Sequence, residues 1–274
     1  MTQPALADMP PTSEEYRLTM SYEEFLEWSD EDTHAEWVNG EVIVFMPPYI
    51  VHQDIISFLD VLISQYARFF DLGKVLIAPF EMLLIPGYAA REPDLAFIAR
   101  DHLHRVKEKR VEGPADLVIE VISKESVTRD RRDKYHEYAQ AGVQEYWIID
   151  PRPRQRNVSC YQRTAQCTYQ PILPDTEGRV HSDVLEGFWL RPGWLWQEPF
   201  PHIDDLLHEI IGEAYAQRMN RRLLDAGGEQ YAQRLIDLLL EENNEEYPQK
   251  VIESLRKRGF LPASPEQDGE EGSA

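Results

Sequence analysis

Two carboxylates stand in strand-like surroundings. Asp94 follows Pro93 at the head of the apolar run Leu95-Ala96-Phe97-Ile98, and Glu120 lies inside Leu117-Val118-Ile119-Glu120-Val121-Ile122. A strand apolar on both faces belongs in the middle of a covered sheet, where an unpaired charge is strongly disfavoured, so Glu120 needs a cation, a partner or a proton. A hard divalent cation such as Mg2+ takes oxygen ligands and keeps several waters. One carboxylate from each of two neighbouring strands therefore makes a half-shell open to a phosphate. The competing arrangement leaves Asp94 in solvent at a strand end and pairs Glu120 with an arginine.

The stretch after Glu120 narrows the choice. Ser123 and Ser126 end the strand, Thr128 to Ala141 reads as a capped helix stopped by Gly142, and Glu145-Tyr146-Trp147-Ile148-Ile149-Asp150 is a new strand closed by Pro151. With these residues the chain resembles the PD-(D/E)xK nuclease superfamily, and within it the large bacterial family of restriction-endonuclease-like proteins abundant in cyanobacteria. The resemblance rests on Pro93-Asp94-Leu95, Asp116 to Ser123, Asp130, Lys134, Tyr138, Gly142-Val143 and Glu145 to Pro151, and covers residues 18 to 197. It implies a mixed sheet flanked by helices, with Asp94 and Glu120 as metal ligands for Mg2+, or Mn2+ in its place.

One departure matters. The superfamily signature has a lysine two residues after the second acid, and this chain has Ile122 there. Lys134, on the following helix, is the best candidate to replace it, ahead of Lys124, which has the right strand parity but falls after Ser123. An ordinary salt bridge from Lys134 to Asp130, four residues earlier on the helix, is the alternative, worth about 0.3–0.5 kcal/mol. Phosphodiester hydrolysis builds negative charge on the non-bridging oxygens. A metal relieves it and lowers the pKa of water, a nearby lysine orients that water, and a carbonyl of the Glu120-Val121 backbone is a further possible ligand.

Two upstream residues complete the expected site. The family resemblance implies an acid shortly before a tight turn, matched by Glu36 ahead of Asn39-Gly40, a strong hairpin signal. Period-2 alternation puts Glu36 and Val38 on one face, away from Trp37. A single glutamate on a hairpin is otherwise a solvated side chain. His52, near the start of the next helix, matches a histidine of the family, and its imidazole could contact the substrate phosphate or a metal-bound water; its bland alternative is a cap or a packing residue. Arg129 and Arg131 open the Lys134 helix, and with the basic segment from Arg100 to Arg110 they are expected to form a phosphate-binding rim or simply a solvated face.

Charge argues against a nuclease. The 274 residues carry 28 basic and 49 acidic side chains, net -21, which repels nucleic acid at long range. About half of the excess belongs to residues 166–274, where 10 basic face 21 acidic groups. No apolar run is long enough for a bilayer and the N-terminus has no signal pattern, so a cytoplasmic protein is expected. Cys160 and Cys167 flank a turn at Thr164-Ala165; they read as free thiols and give no zinc spacing.

The remaining elements fall into order. Ser21 to Glu24 is a capping box for a short helix, and Val42 to Met46 is the second strand of the Asn39-Gly40 hairpin. Ile55, Ile56, Leu59, Leu62, Ile63 and Tyr66 mark a long amphipathic helix. Strands are expected at 75–78, 82–85, 94–99, 117–122 and 145–149, then a hairpin at 158–161 and 167–172, and a lid built on Trp189, Trp194 and Trp196. Beyond residue 198 the pattern is helical at 203–224, 231–240 and 251–256, with a disordered acidic tail from 263. The reading is an α/β restriction-endonuclease-like core at 18–197 with a helical extension at 198–262. A Mg2+-dependent endonuclease on DNA is expected, centred on Asp94, Glu120 and Lys134 with Glu36 accessory, and a homodimer if it makes double-strand breaks. The rivals are an inactive nucleic-acid-binding or regulatory module on the same fold, and a protein-interaction scaffold that works through its helical C-terminal region.

Overall fold

Asn39 and Gly40 both have positive φ, 48° and 85°, as a two-residue hairpin turn between twisted strands requires. The computed structural model describes residues 16–29, 35–44, 50–85, 89–124 and 126–222. In chain order these form β1 (Tyr16–Thr19), α1 (Tyr22–Trp28), β2 (Ala35–Val38), β3 (Glu41–Val44), α2 (Ile50–Phe70), β4 (Gly73–Ile77), β5 (Glu81–Ile85) and β6 (Ala89–Arg91). There follow β7 (Leu95–Ala99), β8 (Arg110–Glu112), β9 (Leu117–Val121), α3 (Tyr135–Ala141) and β10 (Glu145–Asp150). The last are β11 (Asn157–Arg163), β12 (Tyr169–Ile172), β13 (Val180–His181), β14 (Trp189–Leu190) and α4 (Ile203–Ile211). The chain divides into two compact units, Met1–Ile210 and Ile211–Ala274.

Twelve of these strands make two six-stranded sheets, where one central mixed sheet is expected, and β13 and β14 pair separately. One runs β1-β3-β2-β6-β5-β8 and the other β12-β11-β10-β9-β7-β4. Each is mixed: β5 and β8 are parallel in the first, β9 and β10 in the second, and the other pairs are antiparallel. Every residue of β9 and of β10 is buried, as the unbroken apolar runs demand of strands covered on both sides. One face of β9 carries Val118 and Ile122, which pack with Tyr138 and Ala139 of α3 and with Met82 and Leu84 of the first sheet. The opposite face meets α2, whose apolar stripe of Ile55, Leu59, Leu62 and Ile63 is fully buried.

Local signals mostly behave as their chemistry dictates. Ser21 and Glu24 form a reciprocal capping box on α1. Gly142 ends α3 in the left-handed conformation at φ 105°. The helix expected from 128 instead begins with a π-helical segment, Arg129–Lys134, and turns α-helical at Tyr135. The helix expected over 203–224 is broken at Gly212 (φ 79°), after which residues 213–222 are helical. Cys160 pairs with Ile172 across β11 and β12 while Cys167 sits in the turn, so the two free thiols do not face each other.

Ahead of the tryptophans, Phe188 stacks on Trp147 and the Glu186 carbonyl accepts the Tyr66 hydroxyl, while Trp196 meets Arg156 in the turn after β10. The expected helices at 231–240 and 251–256, the acidic tail, and Phe45 and Met46 lie outside the described residues. Among the described residues, no helix is long and apolar enough to cross a membrane.

Candidate active site

Strand register brings the two carboxylates together. β7 and β9 are antiparallel with Leu95 opposite Ile119, so one step further along the register Asp94 stands opposite Glu120, and partners across such a pair share a face. Asp94 Oδ2 accepts the Val121 backbone N–H at 2.7 Å, which fixes the carboxyl against the strand that carries Glu120. His52, the third residue of α2, reaches the same oxygen with Nε2 at 3.2 Å. Its Nδ1 is buried without a hydrogen-bond partner among the described residues.

Glu120 is 3% exposed. Its Oε1 accepts both the Lys134 ammonium at 2.9 Å and the Tyr138 hydroxyl at 2.8 Å. Lys134, equally buried, also lies 2.8 Å from Glu36 Oε1 and 3.7 Å from Asp130 Oδ1. The i,i+4 pair with Asp130 therefore exists, but it is the longest of three contacts. Lys124 is exposed.

Glu36 comes from the other sheet. Its alternation with Trp37 sends it inward to this cluster, while Trp37 packs with Phe25 and Val42. Glu36 Oε2 pairs with Arg91 Nη1 at 2.7 Å, and Arg91 continues to Glu137 through Nη2 at 2.7 Å. A buried chain of ion pairs thus runs Glu137–Arg91–Glu36–Lys134–Glu120 and ties the first sheet to α3 and β9.

The environments divide the carboxyls. Burial opposes ionisation of Glu36, but Lys134, Arg91 and Arg129 outweigh it and hold the carboxyl at about 2. For Glu120 burial dominates; Lys134 opposes it, Asp94, Asp130 and Glu36 reinforce it, and the carboxyl is pushed up to about 8. Burial likewise raises Asp130, whose Oδ1 has no hydrogen-bond partner among the described residues. Lys134 is raised despite burial because Glu120, Glu36 and Asp130 surround it.

The fit to a metal ion follows from this donor set. The side chains named here include five carboxylates, Asp94, Glu36, Glu120, Asp130 and Glu137, against three cations, Lys134, Arg91 and Arg129. Fully ionised, they leave two negative charges uncompensated in a buried setting, which a divalent cation offsets or protons remove. Among the described residues no hydrogen bond falls on Asp94 Oδ1 or Glu120 Oε2, so each carboxylate keeps one oxygen for a cation. No group of three His, Cys, Asp or Glu among the described residues is arranged to enclose a metal by itself, so water and substrate would fill most of its shell.

The three residues expected at the centre, Asp94, Glu120 and Lys134, lie together with the expected accessory acid Glu36 and with His52. Arg129 lies at their edge, with Nε 3.9 Å from Asp130 Oδ1. Among the described residues, Arg131 has no contact with these five and pairs with Asp150, at 3.2 Å. The basic segment from Arg100 is not a rim to this site. It follows the C-terminal end of β7, whereas Asp94 precedes the N-terminal end. Arg91 and Glu137 are parts of the site that sequence reasoning passed over. Tyr138 carries the family resemblance but was given no role, and its hydroxyl bond to Glu120 supplies one.

This cluster, on a two-sheet α/β core, invites comparison with known proteins. Residues 22–193 match the profile of the Uma2 family, described as "Putative restriction endonuclease". The chain belongs to the Uma2 family. The match takes in every residue of the Uma2 site described above. Among solved structures, a protein of Anabaena variabilis ATCC 29413 described as a putative nuclease belonging to DUF820 is similar in fold, with a TM-score of 0.53 and 18% identity. The alignment covers 65% of this chain and 97% of that one. No curated protein matches.

Proposed function

We propose that this Uma2 protein is a Mg2+-dependent endonuclease that hydrolyses phosphodiester bonds in DNA. The observation that carries the reading is the Asp94–Glu120–Lys134 group, a half-buried and a buried carboxylate matched by register beside a buried lysine, with more negative charge than its own cations offset. Asp94 and Glu120 would hold Mg2+, which when bound screens the phosphate oxygens and lowers the pKa of water.

The chain's own residues then have separable tasks. Val121 N–H and His52 orient Asp94, and Tyr138 orients Glu120. Lys134, held between Glu36 and Glu120, presents a fixed positive charge that orients the attacking water and stabilises charge developing on phosphorus-bound oxygens. Arg91 keeps Glu36 ionised, and Glu36 keeps the ammonium in place.

Supercoiled plasmid incubated with Mg2+ or Mn2+, and with EDTA, tests this directly. Nicking by the wild type in metal, abolished by EDTA and reduced about 10²-fold or more in Asp94→Ala, Glu120→Ala and Lys134→Ala, is expected. Absence of nicking across a range of salt, with no calorimetric Mg2+ binding, would remove the enzyme reading. The tight double pairing of Lys134 favours one alternative, a catalytically inactive nucleic-acid-binding module. That module would bind DNA without metal and never cut it.

A further inference from the structure

The turn between β10 and β11 reads Pro151-Arg152-Pro153-Arg154-Gln155-Arg156, three arginines and no acid in a chain of net charge -21. Its place in the fold is specific. β9 and β10 are parallel, with Ile148 opposite Glu120 and Ile149 opposite Val121, so Asp150 and the turn emerge just past the Glu120 end of the sheet. Asp150 shares the alternation of Ile148 and therefore the face of Glu120. The connection from β9 that carries Arg131 leaves from the same end. Carboxyl ends of adjacent parallel strands are where open α/β sheets take ligands.

We infer that Arg131, Arg152, Arg154 and Arg156 form a rim that grips the sugar–phosphate backbone of DNA beside the Asp94–Glu120 pair, with Asp150 as the residue that positions it. The inference deepens the nuclease reading and rests on it for the identity of the ligand. Asp150 is 1% exposed, and both of its oxygens engage Arg152, Oδ1 from Nε and Oδ2 from Nη2, each at 2.8 Å. Arg131 Nη2 shares Oδ2 at 3.2 Å.

One carboxylate thus fixes two guanidinium groups and leaves one surplus positive charge. The described side-chain contacts of Arg131 and Arg152 go to Asp150 alone, although each guanidinium carries five donors. Their side chains stay 36% and 27% exposed, so the remaining N–H groups reach solvent. Preorganised, planar donors of this kind suit phosphate oxygens better than a lysine does.

The rest of the turn adds to the rim. Arg154 holds φ 66°, a conformation that glycine or asparagine adopts at lower cost, and its side chain is exposed. Folding alone gives no reason for arginine there. Arg156, also exposed, lays its guanidinium 5.7 Å from the centroid of the half-buried Trp196 ring, a contact that limits its freedom and places an aromatic surface beside the phosphates.

The test is fluorescence anisotropy with a short labelled DNA duplex in EDTA over a salt series, so that binding is read without cleavage. Wild type is expected to bind. Arg152→Gln/Arg154→Gln/Arg156→Gln should reduce the slope of log affinity against log salt by about 2–3, at ~0.9 for each phosphate no longer neutralised. The Arg152→Lys/Arg154→Lys/Arg156→Lys variant, which keeps the charge, should recover most of that slope and confirms that the variants fold.

Lys107→Gln/Lys109→Gln, beyond the opposite end of β7, should leave the slope unchanged. Wild type that binds no duplex, an unchanged slope in the glutamine variant, or an equal loss in Lys107→Gln/Lys109→Gln overturns the inference. Plasmid cleavage is scored separately. Turn-dependent binding without cleavage keeps the rim and rejects the nuclease, and cleavage unaffected by the turn variants does the reverse.

Discussion

Glu36 and Glu120 share one lysine and yet are pushed in opposite directions, which makes the pH dependence of stability a sharp probe of each. Glu36 is held at about 2 against an ordinary 4.5 because three cations outweigh its burial. The unfolded state therefore binds its proton first. Its contribution, about 3 kcal/mol, is present above pH 4.5 and lost as pH falls toward 2. Glu120 lies at about 8, so between pH 4.5 and 8 the folded state keeps a proton the unfolded state has released. Without metal, that group makes stability fall as pH rises through this window, by at most about 1.4 kcal/mol per pH unit. Urea titrations in EDTA should show the neutral-pH decline in the wild type and not in Glu120→Gln; a decline of equal slope in both would assign it elsewhere. Glu36→Gln should cost about 3 kcal/mol at pH 7, because it takes from Arg91 and Lys134 the ionised carboxylate they share and leaves them Glu137 and Glu120.

At the scale of elements, two glycines separate conformational cost from crowding. Gly142 closes α3 at φ 105°, and a Cβ there would meet only Pro114 Cγ at 3.6 Å, an ordinary contact. Gly142→Ala should therefore cost about 1–2 kcal/mol, the price of left-handed backbone alone. Gly73 starts the edge strand β4, and a Cβ there would collide with the Ile98 carbonyl oxygen, so Gly73→Ala must pull β4 away from β7. Urea midpoints should fall clearly further for Gly73→Ala than for Gly142→Ala. The same scale shows what the sequence could disclose. Asp94 and Glu120 were legible because the apolar runs around them mark buried strands, and Glu36 because the family resemblance points to an acid ahead of the Asn39-Gly40 turn. Arg91 was not, because its partners Glu36 and Glu137 lie 55 and 46 residues away and Ala89-Ala90-Arg91 is too short for a pattern. The π-helical start of the Lys134 helix and the division of the strands into two sheets escaped for a related reason. Periodicity says which face is buried and is silent on what covers it.

For the whole molecule the question is whether divalent cations act at one place or everywhere. A chain of net charge -21 is self-repelling, and any salt stabilises it by screening. A site that binds Mg2+ only when folded adds a different term. That term saturates with ligand and reaches about 2.7 kcal/mol at a hundredfold excess over Kd, whatever the background salt. Thermal unfolding followed in a fixed excess of KCl, with Mg2+ then titrated in, isolates the site from the screening. The wild type should show a saturating rise in Tm, and Asp94→Ala and Glu120→Ala should lose it, since each removes one of the two carboxylates with an oxygen to spare. Lys134→Ala should keep the rise or enlarge it, because removing the ammonium deepens the uncompensated negative charge around Glu120. A rise that climbs without saturating, and equally in all three variants, would mean that Mg2+ screens the acidic surface and leaves the Asp94–Glu120 pair alone. The surplus negative charge of the cluster would then be settled by protons.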